Sequence, residues 1–300
     1  MNKPVIHPYI PIAIGVLTVG LSAIFVKLTT ADAGVTAFYR MFFSVVIMLP
    51  LFLLSYRSEL RDLKSRDWLF SGLAGLFLAI HFVLWFESLN YTSVASSTVL
   101  VTLQPIFALA GTALFFKEII TGKMLTAVLI ALTGSVIISW GDFQVSSTAL
   151  FGDVLALLAC GFITAYLLVG QDVRKRVSLI TYTFLVYSAS SIILFAYVLY
   201  ERQPLISYPA SDWMWFLALA LLPNLLGHSL FNWAIKWVST NVISITILFE
   251  PVIASAAAYF VLRENITTTQ LAGGIVVLAG ILLFIIDFKE INKKLFTKKA

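Results

Sequence analysis

The chain has 300 residues, of which 60% are hydrophobic and only 12% charged, and its mean hydropathy is +0.96. A soluble protein of this length carries about twice that charged fraction, so the composition excludes an ordinary water-soluble domain and indicates a surface that faces lipid. The net charge of +5 is distributed among short segments between apolar runs, and this pattern is not typical of a protein that binds nucleic acid. Cys160 is the single cysteine, so no disulfide can form within the chain.

Ten apolar segments of bilayer length follow one another along the chain. Short stretches of charged and turn-forming residues separate them, and no loop is long enough to fold as a domain. We interpret the first segment as a retained span rather than a signal peptide, because many more spans follow it. The predicted spans are residues 10–28, 35–56, 68–89, 93–116, 124–140, 150–169, 179–199, 213–236, 241–262 and 268–288.

Basic residues fall mainly on one side of these spans. With the N-terminus in the cytoplasm, 16 of the 20 Lys and Arg lie on the inner side, while Lys27, Arg202 and Arg263 lie on the outer side and Arg40 lies within the second span. This asymmetry predicts a multi-pass protein of the plasma or inner membrane with both termini in the cytoplasm. Tryptophans at predicted span ends would form an aromatic belt; they are Trp68, Trp140, Trp213, Trp215 and Trp237.

Part of the sequence repeats at a shift of 146 residues. The stretch SVASSTVLVTLQPIFALAGTALFFKEIIT (93–121) aligns without a gap with STNVISITILFEPVIASAAAYFVLRENIT (239–267), with 7 identities in 29 positions. The alignment places Pro105 on Pro251, the one mid-span proline of each stretch. Further matches are Lys117-Glu118 with Arg263-Glu264 and Gly134 with Gly280.

Each repeat holds five spans, and because five is odd the second repeat is inverted relative to the first. The predicted fold is therefore an all-α integral membrane protein of ten transmembrane helices, arranged as two inverted five-helix repeats at residues 1–145 and 146–300. Inverted repeats are typical of secondary transporters, whose substrate site lies near the midplane where the repeats meet.

Over nearly its whole length the chain resembles the EamA-type ten-helix transporters of the drug/metabolite transporter superfamily. The motifs that carry the resemblance are Gln104-Pro105, Glu250-Pro251, the basic-Glu span ends, the two aligned glycines and Phe38–Arg40. The resemblance implies a basket of two inverted bundles that moves small metabolites, often amino acids, outward. Because the first repeat has Gln104 where the second has Glu250, it also implies carboxylate chemistry in one repeat only.

Glu250 lies in the middle of an apolar span. An ionised carboxylate at this depth costs roughly 2.5–3.5 kcal/mol, so Glu250 must be protonated, paired or in contact with water. It could form a structural hydrogen bond, contact substrate or exchange protons. Pro105 and Pro251 are predicted to kink their helices and to free a backbone carbonyl. Arg40 is predicted to reach the outer interface or to form a structural ion pair.

Polar residues recur at helical spacing in two of the spans. Asn224, His228 and Asn232 follow at i, i+4 and i+8, which predicts one face of the eighth span that is wet or lined by substrate. His81 and Trp85 are spaced by four residues in the third span, its equivalent in the first repeat. The predicted substrate-binding cavity comprises His81, Trp85, Gln104, Asn224, His228, Asn232 and Glu250.

The sequence contains no HExxH, acidic-cluster, GxSG or Walker A motif, so we predict no catalytic residue, metal site or cofactor. The predicted function is secondary-active or facilitative export of small metabolites by alternating access. The solutes would be amino acids, aromatic or hydrophobic ones above all, or amphiphilic drugs. Protons are a candidate second ligand, and a monomer in the lipid bilayer is compatible with the sequence. An intramembrane enzyme and a channel-like facilitator are the alternatives.

Overall fold

The computed structural model describes residues 4, 6–139, 147–263 and 268–297, and within these ranges the chain is helical and contains no strand. Ten apolar helical segments lie at the ten predicted positions. Two of them, Gly122–Ile137 and Leu271–Phe284, are shorter than the rest. The eight that are long enough to cross a membrane are Tyr9–Lys27, Ala33–Arg61, Ser65–Tyr91, Val94–Phe116, Thr148–Val173, Leu179–Tyr200, Ala210–Ala234 and Thr240–Leu262.

Several of these segments consist of more than one helix. A π-helical turn (Phe52–Tyr56) and a 3₁₀ turn (Arg57–Arg61) extend the helix Ala33–Leu51, and a π-helix (Ala220–His228) joins the helices Ala210–Leu219 and Ser229–Ala234. The α-helices in chain order are α1 (Tyr9–Val19), α2 (Ser22–Lys27), α3 (Ala33–Leu51), α4 (Ser65–Tyr91), α5 (Val94–Val101), α6 (Gln104–Phe116), α7 (Gly122–Ser139), α8 (Ser147–Val173), α9 (Leu179–Tyr200), α10 (Ala210–Leu219), α11 (Ser229–Ala234), α12 (Thr240–Ile247), α13 (Glu250–Leu262) and α14 (Thr268–Thr297).

The mid-span prolines mark breaks between helices rather than the expected kinks. Two residues separate α5 from α6, and two separate α12 from α13. Pro105 and Pro251 are each the second residue of the helix that follows the break. A proline in the first turn of a helix removes no helical hydrogen bond, because the N–H groups there have no partner within the helix. The breaks therefore make Gln104 and Glu250 the first residues of α6 and α13.

The local structure follows the 146-residue shift. α5 and α12 both have 8 residues, α6 and α13 both have 13, and each pair starts at the shifted position. Both longer helices end in a left-handed residue, Lys117 with φ 54° and Arg263 with φ 58°. Glu264, the aligned partner of Glu118, lies outside the described residues, as does Trp140. The inverted orientation of the second repeat in the membrane stays a prediction.

The main helix contacts join a helix of the first repeat to a helix of the second. α4 packs against α8 and α9, α3 packs against α9, α1 packs against the π-helix and α11, and α7 forms a long contact with α14. Glycines allow the close approach of this last pair. A Cβ atom on Gly134 would lie 2.6 Å from the backbone nitrogen of Val277, and one on Gly280 would lie 2.6 Å from that of Ala131. Each of the two aligned glycines thus lies against the backbone of the helix that carries the other.

We predict that Gly134→Ala and Gly280→Ala each destabilise the protein, because the added methyl group forces the backbones of α7 and α14 apart. Overpacking of this kind costs about 1–3 kcal/mol. The measurement is thermal unfolding in detergent, followed by tryptophan fluorescence. Gly72→Ala is the matched control, since a Cβ atom there meets nothing within 4 Å. Equal unfolding temperatures for the three variants would contradict the packing described.

Candidate functional site

Five of the seven side chains predicted to form a cavity lie around one cavity of about 20 Å³. They are His81, Trp85, Gln104, His228 and Glu250. The remaining lining is apolar and comprises Val19, Val101, Ile163, Leu167, Phe231 and Ile247. A water molecule needs about 10–15 Å³ of such space. In this conformation the cavity therefore has room for about one water molecule and not for a metabolite.

The two helix breaks both lie at the cavity. Gln104 and Glu250, the first residues of α6 and α13, occupy aligned positions and line it from the two repeats. Because α5 and α12 end at the breaks, the last carbonyl of each receives no hydrogen bond within its own helix. These carbonyls belong to Val101 and Ile247, which also line the cavity. The sequence predicted a freed carbonyl near each proline, and Val101 and Ile247 are the residues four positions before Pro105 and Pro251.

Several polar atoms at the cavity have no hydrogen-bond partner among the described residues. They are Nε1 of Trp85, Oε1 of Gln104 and Nδ1 of His228. Nδ1 of His81 lies 3.0 Å from the carbonyl oxygen of Ala159. Since a carbonyl can only accept, Nδ1 carries the hydrogen, and Nε2 of the neutral ring remains an acceptor. An unpaired buried polar group costs about 1–3 kcal/mol, so this lining favours water or the polar groups of a solute.

Glu250 is the one carboxyl group of the cavity lining and is 4% exposed. It lies at the N-terminus of α13, where the helix dipole favours a negative charge. Among the described residues it has no cationic partner within 4 Å, but it interacts electrostatically with Arg40. A carboxyl group at a water-sized cavity, without a direct counter-ion, can bind a cationic group of a solute or a proton.

Asn224 and Asn232 differ from the expectation, because neither lines the cavity. Both are fully buried. Nδ2 of Asn224 donates to Oγ of Ser44 at 2.8 Å, and Nδ2 of Asn232 donates to the hydroxyl of Tyr166 at 2.5 Å. Their present contacts hold neighbouring helices together. Their role in binding a solute stays a prediction.

The π-helix explains why this spacing failed as a guide to one helical face. Its i→i+5 hydrogen bonds widen the turn, so residues at i and i+4 no longer lie directly above one another. Asn224 and His228 both belong to the π-helix Ala220–His228, and Asn232 belongs to α11. Pro223 lies inside the π-helix. A proline within the span was the available signal of irregular geometry.

Arg40 is fully buried and does not reach the outer interface, contrary to the expectation. Its Nη1 donates to Oγ of Ser22 at 2.8 Å, and its guanidinium carbon lies 4.1 Å from the centre of the Phe82 ring. No carboxylate of the described ranges lies within ion-pair distance of it. A hydroxyl group and an aromatic face take the place of water around this cation.

At both ends of the bundle, hydrogen bonds join a helix to a segment that connects other helices. At the end that carries the Lys117 turn, the carboxylate of Glu118 accepts from Nε2 of Gln171 and Nδ2 of Asn241, each at 3.0 Å. At the opposite end, the carboxylate of Asp212 accepts from the backbone N–H and the hydroxyl of Thr30, at 3.0 and 2.8 Å. These polar contacts therefore lie above and below the cavity.

Comparison with known proteins identifies the family. The model of the EamA-like transporter family matches the chain twice, at residues 8–140 and 150–286. An uncharacterized transporter of Archaeoglobus fulgidus is 26% identical over 272 residues, which are 91% of this chain and 94% of that protein. A probable amino-acid metabolite efflux pump of Salmonella typhimurium is 26% identical over 196 residues, 62% of this chain and 65% of that one.

A solved crystal structure has the same fold, with a TM-score of 0.75 and 16% identity over 92% of this chain and 95% of that one. The two family matches confirm the resemblance drawn from the sequence motifs, and they show that the family occurs twice along the chain. A transporter of this kind lies in the lipid bilayer and binds a small-molecule substrate. This chain is a multi-pass membrane protein that belongs to the EamA-like transporter family.

Proposed function

We propose that the chain exports small metabolites across the plasma or inner membrane, and that amino acids with aromatic or hydrophobic side chains are its solutes, with amphiphilic drugs as the second class. The observation that carries the proposal is the cavity, where two broken helices present unpaired polar atoms within an apolar and aromatic lining. The Salmonella relative, called a probable amino-acid metabolite efflux pump, supports the choice of solute.

The proposed mechanism is alternating access between the two repeats, residues 1–145 and 146–300, in inverted orientation. A cavity of about 20 Å³ must widen before a metabolite can enter. Widening toward the Lys117 end requires the hydrogen bonds of Glu118 with Gln171 and Asn241 to break. Widening toward the other end requires the bonds of Asp212 to Thr30 to break. Each set of bonds then forms the closed side of one state.

The experiment that tests the proposal is counterflow in liposomes that contain the purified protein. A panel of amino acids and amphiphilic drugs is offered at two pH values, and uptake of labelled solute against an unlabelled internal pool is measured. Saturable exchange is the expected result. A steady ion current without exchange would identify a channel, and chemical conversion of the solute would identify an enzyme; either result contradicts the proposal.

We predict that Glu250→Gln preserves solute exchange but removes the response of transport to an imposed pH gradient. Gln keeps the size and hydrogen bonding of Glu but cannot take up or release a proton. The titratable or charged groups around it are Arg40, His81 and His228. The measurement is uptake into liposomes with and without a pH difference across the membrane.

The control for this prediction is Glu201→Gln, which changes an exposed carboxylate beyond the end of α9. It should leave the gradient response intact. A gradient response in Glu250→Gln equal to that of the wild type would remove the coupling role. Wild-type transport that ignores the gradient would make the protein a facilitator and leave Glu250 as a binding residue.

We further propose ten transmembrane helices with both termini in the cytoplasm, and predict the labelling of introduced cysteines accordingly. Cysteines that replace Arg61 or Lys175 should react with an impermeant maleimide only when the cytoplasmic side is exposed. A cysteine that replaces Pro204 should react from outside. All three positions are exposed, and the natural Cys160 is buried. The reverse labelling pattern would exclude this topology.

A further inference from the structure

Arg40 is a buried cation that has no role in the proposed transport cycle. It lies in α3, about two turns from the start of the helix, and none of its surface is exposed. A buried cation is expensive unless it is paired, yet no described carboxylate lies within 4 Å of it. Its contacts are Ser22 of α2 and the ring of Phe82 in α4.

These contacts occupy one corner and one face of the guanidinium group. Nη1 donates to Ser22, and the ring of Phe82 covers the flat side at 4.1 Å. Nε and Nη2 are buried, and no atom of the described residues accepts a hydrogen bond from either. The N–H bonds of Nε and Nη2 lie on the same edge of the guanidinium plane. This edge is the fork that binds both oxygens of a carboxylate at once.

The guanidinium group of Arg40 lies one layer of side chains behind the cavity. The ring of Phe82, which stacks on Arg40, meets the ring of His228 edge-on at 5.7 Å between ring centres. His228 lines the cavity, as does Val19, one helical turn before Ser22. Widening of the cavity that moves the Phe82 ring would therefore open Arg40 to a solute.

We propose that Arg40 binds the carboxylate of the transported solute through its Nε and Nη2 edge in the widened cavity. This inference rests on the proposed transport function and narrows it. Glu250 lines the cavity, and Arg40 lies behind Phe82, whose ring contacts the cavity residue His228, so the widened site would offer a cation fork and a carboxyl group together. The solute class that fits both is a zwitterion with a carboxylate and an ammonium group. A cationic amphiphilic drug satisfies Glu250 but leaves Arg40 unpaired.

The test compares solutes that differ only in the carboxylate. Labelled L-phenylalanine, L-phenylalaninamide and 2-phenylethylamine are offered in counterflow, together with the matching series from L-leucine. Loss of a charge-assisted hydrogen-bonded pair costs about 1.5–3 kcal/mol, which is about tenfold to hundredfold in affinity. We expect the wild type to prefer each acid over its amide and amine by about that factor, and Arg40→Gln to abolish the preference. Arg40→Lys keeps the charge without the fork and should retain only part of it.

Arg174→Lys is the matched control, because Arg174 is also buried but donates to the backbone carbonyls of Asn232 and Val177. It should alter stability and leave the ratio of acid to amide unchanged. Size-exclusion profiles and unfolding temperatures establish that each variant folds, and acid-specific thermal stabilisation of the purified protein gives a readout independent of transport. If Arg40→Gln does not fold, Arg40→Lys decides the matter, because an unchanged preference for the acid in that variant would overturn the proposal.

Equal exchange of acid, amide and amine by the wild type would overturn the proposal, as would an unchanged preference in Arg40→Gln. Exchange of amines or drugs without any acid would leave the transport function standing and remove the role of Arg40. In that case Arg40 serves as a counter-charge for Glu250 only. A protein that neither exchanges nor is stabilised by any solute of the panels would contradict both proposals.

Discussion

In the hydrocarbon core of a membrane, a backbone polar group without a partner costs several kcal/mol, and the rest of this structure depends on how the chain meets that constraint. Two spans break where Pro105 and Pro251 begin new helices. Broken backbone is tolerated at this depth only within protein or along a cavity. Both breaks lie along the cavity, with Val101 and Ile247 in its lining. The surrounding helices thus keep the backbone polar groups at the two breaks away from lipid.

Contacts between helices are of two chemical kinds. α7 and α14 meet through backbone atoms around Gly134 and Gly280, where packing is too close to admit a methyl group. The helices around the cavity instead meet through hydrogen bonds that can be exchanged for others, such as those of Glu118 and Asp212. Packed backbone atoms gain no comparable contact when they separate, whereas a hydrogen-bonding group can bond to water or to a solute instead. Movement is therefore less costly around the cavity than between α7 and α14.

Hydropathy was sufficient to predict where the apolar helices lie, because span length and charge depend on local composition. The repeat and the positions of the breaks were also accessible, since proline acts locally. The π-helix at Ala220–His228 was not predicted, and it places Asn224 and Asn232 in contacts with other helices rather than in the cavity lining. The burial of Arg40 was missed for a similar reason. Its contact with Phe82 joins helices that are distant in sequence.

The two short helices that begin at Gln104 and Glu250 have a consequence for the charge of the cavity. The N-terminus of a helix carries the equivalent of about half a positive elementary charge. Both N-termini meet at the cavity, but so do the C-terminal ends of α5 and α12, at Val101 and Ile247, whose opposite partial charges offset them. The C-terminal ends of α6 and α13, at Lys117 and Arg263, carry basic side chains that offset the opposite partial charge. The helix dipoles at the two breaks thus nearly cancel, and the charges of Glu250 and Arg40 decide the sign of the field that a solute meets there.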